Sequence, residues 1–199
     1  MRYEKGRKEA TRRQIIKVAT ERFKEDGIAA SGLAGIMSEA GLTNGAFYPH
    51  FRSKSALVCE CFVAALDVQT SQLKQMLVLG GPEAVIDAFL SAEHRDNLRG
   101  GCPSSAMLAE IAREPAETRQ AFAERTSHML ATMSSALRPE DSVSEDALLA
   151  VYATLVGALQ LARALQGTEL SDRVLASGAS AARAILLSSA KSPRSSTSR

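Results

Sequence analysis

Six side chains in this 199-residue chain are cysteines or histidines, able to act as thiolate or imidazole nucleophiles and as metal ligands: Cys59, Cys61, Cys102, His50, His94 and His128. Their spacing excludes most of the chemistry those types allow. Cys59 and Cys61 stand two apart, on nearly opposite sides of a helix, and form no Cys-x-x-Cys site. The histidines have no metal-ligand spacing, so no metal is expected. No nucleophile–base pair and no phosphate-cradling glycine loop is recognisable, so neither an enzyme nor a cofactor is expected. Cys102 is the sharper candidate. It lies in "RGGCPSS", and Pro103 marks the first turn of a following helix, which makes Cys102 its N-cap. A helix N-terminus stabilises a thiolate, and Arg95 and Arg99 could add to that. The alternative is a small buried residue packed under the loop. No neighbouring cysteine is evident to resolve a sulfenic acid.

A second constellation offers hydrogen bonds rather than reactivity. The stretch "GLTNGAFYPHF" runs from Gly41 to Phe51, with small polar residues first and aromatic rings last. Helices over about 33–40 and from Thr43 to about His50, joined by Gly41-Leu42-Thr43, have helix-turn-helix spacing. Such a second helix presents its N-terminal residues to base edges in the major groove. Thr43 and Asn44 can bond bases or phosphates, and Gly45 lets the backbone approach closely. Tyr48 and His50 can reach phosphates, and Lys54 aims charge at the backbone from the next helix start. Pro49 removes one helical hydrogen bond and offers an apolar contact towards DNA. Spacing alone equally allows a plain pair of helices in an all-helical core.

The elements that must position these residues read as helices throughout. Apolar residues recur at three and four, hardly ever at two. The spacing predicts a first helix from about Arg7 to Asp26, with Ile15, Ile16, Ala19 and Phe23 as its stripe and Gly27 as its stop. Ser53 opens a long helix that Gly80 stops, and Pro82 starts the next one. Residues 94–101, "HRDNLRGG", read as a loop. A helix then runs from Pro103 to a break at Pro115, and another from 116 to 137. Ser142 and Glu145 have capping-box spacing ahead of a helix to about Gln166. Gly167 stops it, and Ser171 caps a last helix to about Ala190. The tail "KSPRSSTSR" reads as disordered. No internal repeat is found.

Bulk properties agree with one ordinary domain or two small ones. Hydrophobic residues are 45% and charged residues 23%, which argues against global disorder. No apolar run approaches membrane-spanning length, the N-terminus has no signal-peptide h-region, and three cysteines suggest reduced thiols; a cytoplasmic protein is expected. Residues 1–60 hold eleven Lys/Arg against seven Asp/Glu, whereas residues 61–190 are acidic on balance. A polyanion contact at the N-terminal end, or a solvated charged helix, accounts for that asymmetry.

The run "TRRQIIKVATERFKEDGIAASGLAGIMSEAGLTNGAFYPHFRSKSAL" resembles the DNA-binding segment of the tetracycline-repressor (TetR) family, at positions from Thr11, Arg12 and Ile15 through Gly41, Thr43, Gly45, Phe47, Tyr48, His50 and Phe51 to Lys54 and Leu57. The resemblance covers about a quarter of the chain. It implies an all-α protein: a three-helix helix-turn-helix DNA-binding domain over 1–53, a larger helical ligand-binding and dimerisation domain over 54–190, and the tail 191–199. The implied DNA-contacting set is Ser31, Thr43, Asn44, Gly45, Tyr48, Pro49, His50 and Lys54. Three residues depart from the family pattern. Gly32 replaces a hydroxyl cap, Met37 replaces a smaller residue, and Pro49 sits inside the recognition helix. The arm "MRYEKGRK", with Arg2, Lys5, Arg7 and Lys8, either tracks a phosphate strand or is a solvated terminus.

The same resemblance implies a homodimer through the last two helices and a pocket among the middle ones. Candidate lining residues are Phe62, Phe89, Cys102, Met107, Ile111, Phe122, Met129 and Tyr152, each equally readable as plain core. The expected partners are a double-stranded DNA operator and an apolar or electrophilic small molecule, with no membrane. The expected function is that of a ligand-responsive transcriptional regulator: a homodimeric repressor released by a small molecule or by thiol modification. The alternative is an all-helical ligand-binding protein or enzyme that no longer reads DNA. A Gly-Cys pair at 101–102 also resembles a TetR subgroup of electrophile and oxidant sensors.

Overall fold

Ile15, Val18, Ala19 and Phe23 share one face of the first helix, α1 (Arg2–Asp26), and all four are buried. The computed structural model describes residues 2–190, apart from the side chains at 2–5, 140 and 190. The expected tail 191–199 and the arm side chains Arg2 and Lys5 lie outside the described residues. Helix α1 starts before the expected Arg7, because the Lys, Arg and Glu run ahead of it consists largely of good helix formers. Gly27, at φ 87°, ends it as expected.

Helix α2 (Leu33–Glu39) follows an uncapped Gly32 in extended conformation. It closes in a Schellman motif: Leu42 N–H donates to the Met37 carbonyl (2.9 Å) and Gly41 N–H to that of Ser38 (3.0 Å). Gly41 takes the required left-handed conformation, φ 71°. The expected third helix is a correction. Only Asn44–Ala46 forms a regular turn, and it is a 3-10 turn. Pro49 has no N–H to donate to Gly45, so an α-helical ladder cannot run through the segment. Short-range bonds hold it instead, from Ala46 N–H to Thr43 O (3.0 Å), Phe47 N–H to Asn44 O (3.2 Å) and His50 N–H to Phe47 O (2.9 Å).

Helix α3 (Lys54–Phe89) breaks once, at Gly81, φ 70° and ψ −173°. The expected stop one residue earlier, at Gly80, is corrected by that angle; Pro82 does restart the helix. The expected loop at 94–101 begins instead as helix α4 (Ala92–Asp96). Ser91 starts it, its Oγ accepting from His94 N–H at 3.0 Å. Next come α5 (Pro103–Ile111), α6 (Ala116–Ala136) and a 3-10 turn at Pro139–Asp141. Helix α7 (Glu145–Ala164) is capped by Ser144, whose side chain accepts from Ala147 N–H, and not by the expected Ser142, which closes the preceding turn. Helix α8 (Glu169–Ala190) begins two residues before its expected cap, Ser171, which is buried within it and donates to the Ala162 carbonyl (2.7 Å). No strand occurs among the described residues.

The chain clusters into two compact units. One contains the residues up to Gln69 together with Asn97–Thr126; the other contains Thr70–Asp96 and the residues from Ser127 onward. The core of the first unit joins Phe23, Ile28, Ile36, Met37, Phe47 and Phe51 to Leu57, Phe62 and Leu66 of α3 and to Met107 and Ile111 of α5. In the second unit α7 and α8 pack closely. A Cβ on Gly178 would lie 2.5 Å from that of Ala158, so only glycine permits the approach. Arg95 bridges α4 to α8 through Asp172 (2.6 Å) and Ser171 (3.0 Å). By length and hydropathy alone α3 and α7 could each cross a bilayer. Their apolar faces, Leu57, Leu66 and Leu73 on α3 and Val151, Leu155 and Leu159 on α7, are buried within the protein.

Candidate nucleic-acid interface

Phe47 organises the recognition segment. Its ring is 1% exposed, stacks on Phe51 at 5.5 Å and meets Tyr48 edge-on at 5.4 Å. With Phe47 and Phe51 anchored inward, the intervening residues face out: Thr43, Asn44, Gly45 and Pro49 are exposed and Tyr48 is 71% exposed. Thr43 sits at the N-cap position in extended conformation, and its side chain makes no capping bond. A large aromatic at that exposure, with a hydroxyl at its tip, suits a phosphate contact. Tyr48→Phe is expected to weaken duplex binding by about 0.5–1.5 kcal/mol, uniformly across sequences. Competition titrations against a panel of duplexes check this; a changed sequence preference would assign Tyr48 to base reading.

His50 is half-buried, and its Nδ1 has no hydrogen-bond partner. Burial, with help from the positive charges of Lys8 and Arg12, lowers its pKa below the usual 6.5. Arg12 lies over the Phe51 ring at 4.8 Å and pairs with Glu60. Arg52 pairs with Glu117 (2.9 Å). Lys8, Arg13 and Lys17 on α1 are exposed.

Two members of the expected set have internal contacts. Ser31 is fully buried and its hydroxyl donates to the Gly27 carbonyl at 2.7 Å. Lys54, half-buried at the start of α3, donates to the Ile28 carbonyl. Both hold the turn between α1 and α2. Sequence reasoning missed a third group there. Glu110 of α5 accepts from Ile28 N–H (2.9 Å) and Ala29 N–H (2.7 Å). No local pattern announces a contact across some eighty residues. Arg99 likewise reaches Glu39, Glu21 and Glu25.

The expected pocket residues divide between the units. Phe62, Met107 and Ile111 are buried in the first unit, and Phe122 packs on Phe62 with the rings tilted and their centroids 5.4 Å apart. Cys102 is 2% exposed and caps α5, its sulfur accepting from Ser105 N–H at 3.4 Å. Cys61 is buried as well, and desolvation pushes its thiol up to about 12. Phe89, Met129 and Tyr152 line a cavity within the second unit. Its space is about 620 Å³ counting the open mouth. Leu73, Leu77, Ile86, Met133, Val151 and Leu155 complete much of its wall, and no Asp, Glu, Lys, Arg or His lines it.

The fold and the exposed, aromatic-anchored turn define a helix-turn-helix protein. The sequence pattern of bacterial regulatory proteins of the tetR family matches residues 15–61, the segment that carries the latter part of α1, α2 and the recognition turn. The HTH-type transcriptional regulator YerO of Bacillus subtilis is 33% identical over 86 residues, 42% of this chain and 30% of YerO. The match spans less than a third of the length of the curated relatives. Whole-chain likeness comes from solved structures. A TetR-family regulator from Cytophaga hutchinsonii superimposes with a TM-score of 0.72 at 17% identity, over 94% of this chain and 98% of that one. E. coli NemR in its reduced form gives 0.68 at 20% identity, over 85% and 95%. At these identities the likeness is one of fold.

Proposed function

We propose that this chain is a cytoplasmic, homodimeric TetR-family repressor that reads an operator through Thr43–His50 and is released by a small apolar effector bound in the second unit. The single observation that carries DNA reading is the recognition segment itself, with buried Phe47 and Phe51 and outward Thr43, Asn44 and Tyr48. Exposed Leu149 and Leu161 on α7 flank Ala153 and Gly157, and exposed Leu170 and Leu187 lie on α8. Leucines around small residues support an isologous four-helix contact between two copies. The cavity supports the effector: its wall is apolar and open to solvent, and an uncharged wall disfavours an ion, which would lose hydration without gaining a partner. An effector acts only by binding the non-reading conformation more tightly.

Selection of duplexes from a random pool tests the proposal. It predicts enrichment of inverted repeats, since a two-fold dimer demands them. Failure to enrich any sequence would favour the alternative of a helical ligand-binding protein without DNA reading.

Thiol-triggered release is a second reading, motivated by the Cys102 sulfur at the N-terminus of α5. It requires α5 to open, because the thiol is buried. Cys102→Ser is expected to leave release by an apolar effector unchanged within about twofold, given the small size of the change. It should abolish release by an electrophile if that route operates; electrophile-induced release that persists in the variant would eliminate Cys102 as the sensor.

A further inference from the structure

We propose that Glu110 is a positioning residue for DNA reading: from α5 it fixes the α1–α2 turn and, through it, the angle at which α2 and the recognition turn meet a duplex. This deepens the DNA-reading function proposed above and rests on it. The turn is held by side chains at four backbone groups. Glu110 accepts from the N–H groups of Ile28 and Ala29, Lys54 donates to the Ile28 carbonyl, and Ser31 donates to the Gly27 carbonyl. Two of those four bonds come from one carboxylate, and a carboxylate accepting from N–H groups makes charge-assisted bonds.

The geometry around Glu110 excludes easy substitutes. Gly27 has φ 87°, and a Cβ there would come within 3.1 Å of the Glu110 Oε2. The carboxylate therefore lies directly against Gly27. Further contacts tie the flanking chain to the same elements. Arg99 pairs with Glu21 and Glu25 of α1 and with Glu39 of α2; Lys24 donates to the Gly101 carbonyl (3.3 Å). Ser55 donates to Glu114, one turn beyond Glu110, at 2.8 Å.

Positioning follows from what α2 lacks. Gly32 supplies no side-chain cap, so the peptides just before α2, together with buried Ile36 and Met37, set its direction. Beyond α2 the chain is stiff. The Schellman motif and the bonds from Thr43 to Phe47 carry any rotation of α2 directly to Thr43, Asn44 and Gly45. A small misplacement of such residues lowers base discrimination before it lowers phosphate attraction.

Glu110→Gln in the full chain tests the proposal, because the amide would turn a donor towards an N–H. The probes are a duplex enriched by the wild-type protein from a random pool and a scrambled duplex of equal length. The expected result is a fall of about tenfold or more in the affinity ratio, with scrambled-duplex binding within about twofold of wild type. In 15N-resolved spectra the amides of Ile28 and Ala29 should shift, and those of Asn44 and Gly45 with them. A folded variant with an unchanged ratio would overturn the proposal and leave Glu110 a stabilising contact only. Should the variant fail to fold, Glu110→Asp and amide exchange in the wild type decide. A shortened carboxylate should lower the same ratio, and the Ala29 amide should exchange slowly despite its exposed turn position; fast exchange contradicts the bond. A wild-type protein that does not discriminate the duplexes at all would defeat DNA reading itself, and the positioning role with it.

Discussion

Phe47→Ala is expected to lower the stability of the first unit by about 3–5 kcal/mol, the usual range for removing a fully buried phenyl ring. Phe47 is 1% exposed and contacts both aromatic neighbours in the recognition segment. The loss should exceed a simple cavity effect in its consequences. Only one short 3-10 turn and scattered backbone bonds give the segment regular structure, so the ring is its main anchor. Specific and nonspecific duplex binding should both collapse, unlike the outcome for Glu110→Gln. Urea unfolding followed by helical signal gives the stability change, and duplex titration below the unfolding range gives the binding. A loss under about 1 kcal/mol would mean that the segment is held some other way.

Val151→Trp is expected to abolish effector response while sparing DNA binding. Val151 of α7 lies on the cavity wall, and the indole would occupy space now open to a ligand. Affinity for a neutral apolar fluorophore such as N-phenyl-1-naphthylamine should fall by at least about tenfold, 1.4 kcal/mol. Overpacking should cost about 1–3 kcal/mol of stability. Duplex affinity without effector should stay near wild type. Unchanged fluorophore binding in the folded variant would place the ligand elsewhere.

Local chemistry was the legible part of this fold. The apolar stripe of α1, the Gly41 turn, the Ser53 cap, whose Oγ accepts from Ala56 N–H at 3.1 Å, and the cap at Cys102 all follow from neighbours in sequence. What failed to show locally had competing signals. Ser142 and Ser144 are both good caps, and the 3-10 turn from Pro139 decides between them. Pro49 announces one lost hydrogen bond, yet that loss ends the α-helix, because Gly45 and the shortness of the segment leave no helix to absorb it. Ser91 hides as a cap because the residues after it look like a polar loop.

The candidate site divides in the same way. Outward Thr43, Asn44 and Tyr48 could be read from the inward period of Phe47 and Phe51. Burial of Ser31 and the internal bond of Lys54 depend on the Gly27–Ala29 backbone, whose donors find Glu110 some eighty residues on. Residue type does not separate Phe89, Met129 and Tyr152 on the cavity wall from Phe62 and Met107 in the other core. Packing partners, which only the folded chain reveals, make that distinction.

The central claim is that this chain reads DNA. Its most direct test is fluorescence anisotropy of the protein titrated into the duplex upstream of its own gene, at two salt concentrations and with excess nonspecific competitor. The account predicts tight, competitor-resistant binding that weakens steeply as salt rises, because phosphate contacts release counterions. Binding no tighter than to a random duplex, or insensitive to salt, would contradict it.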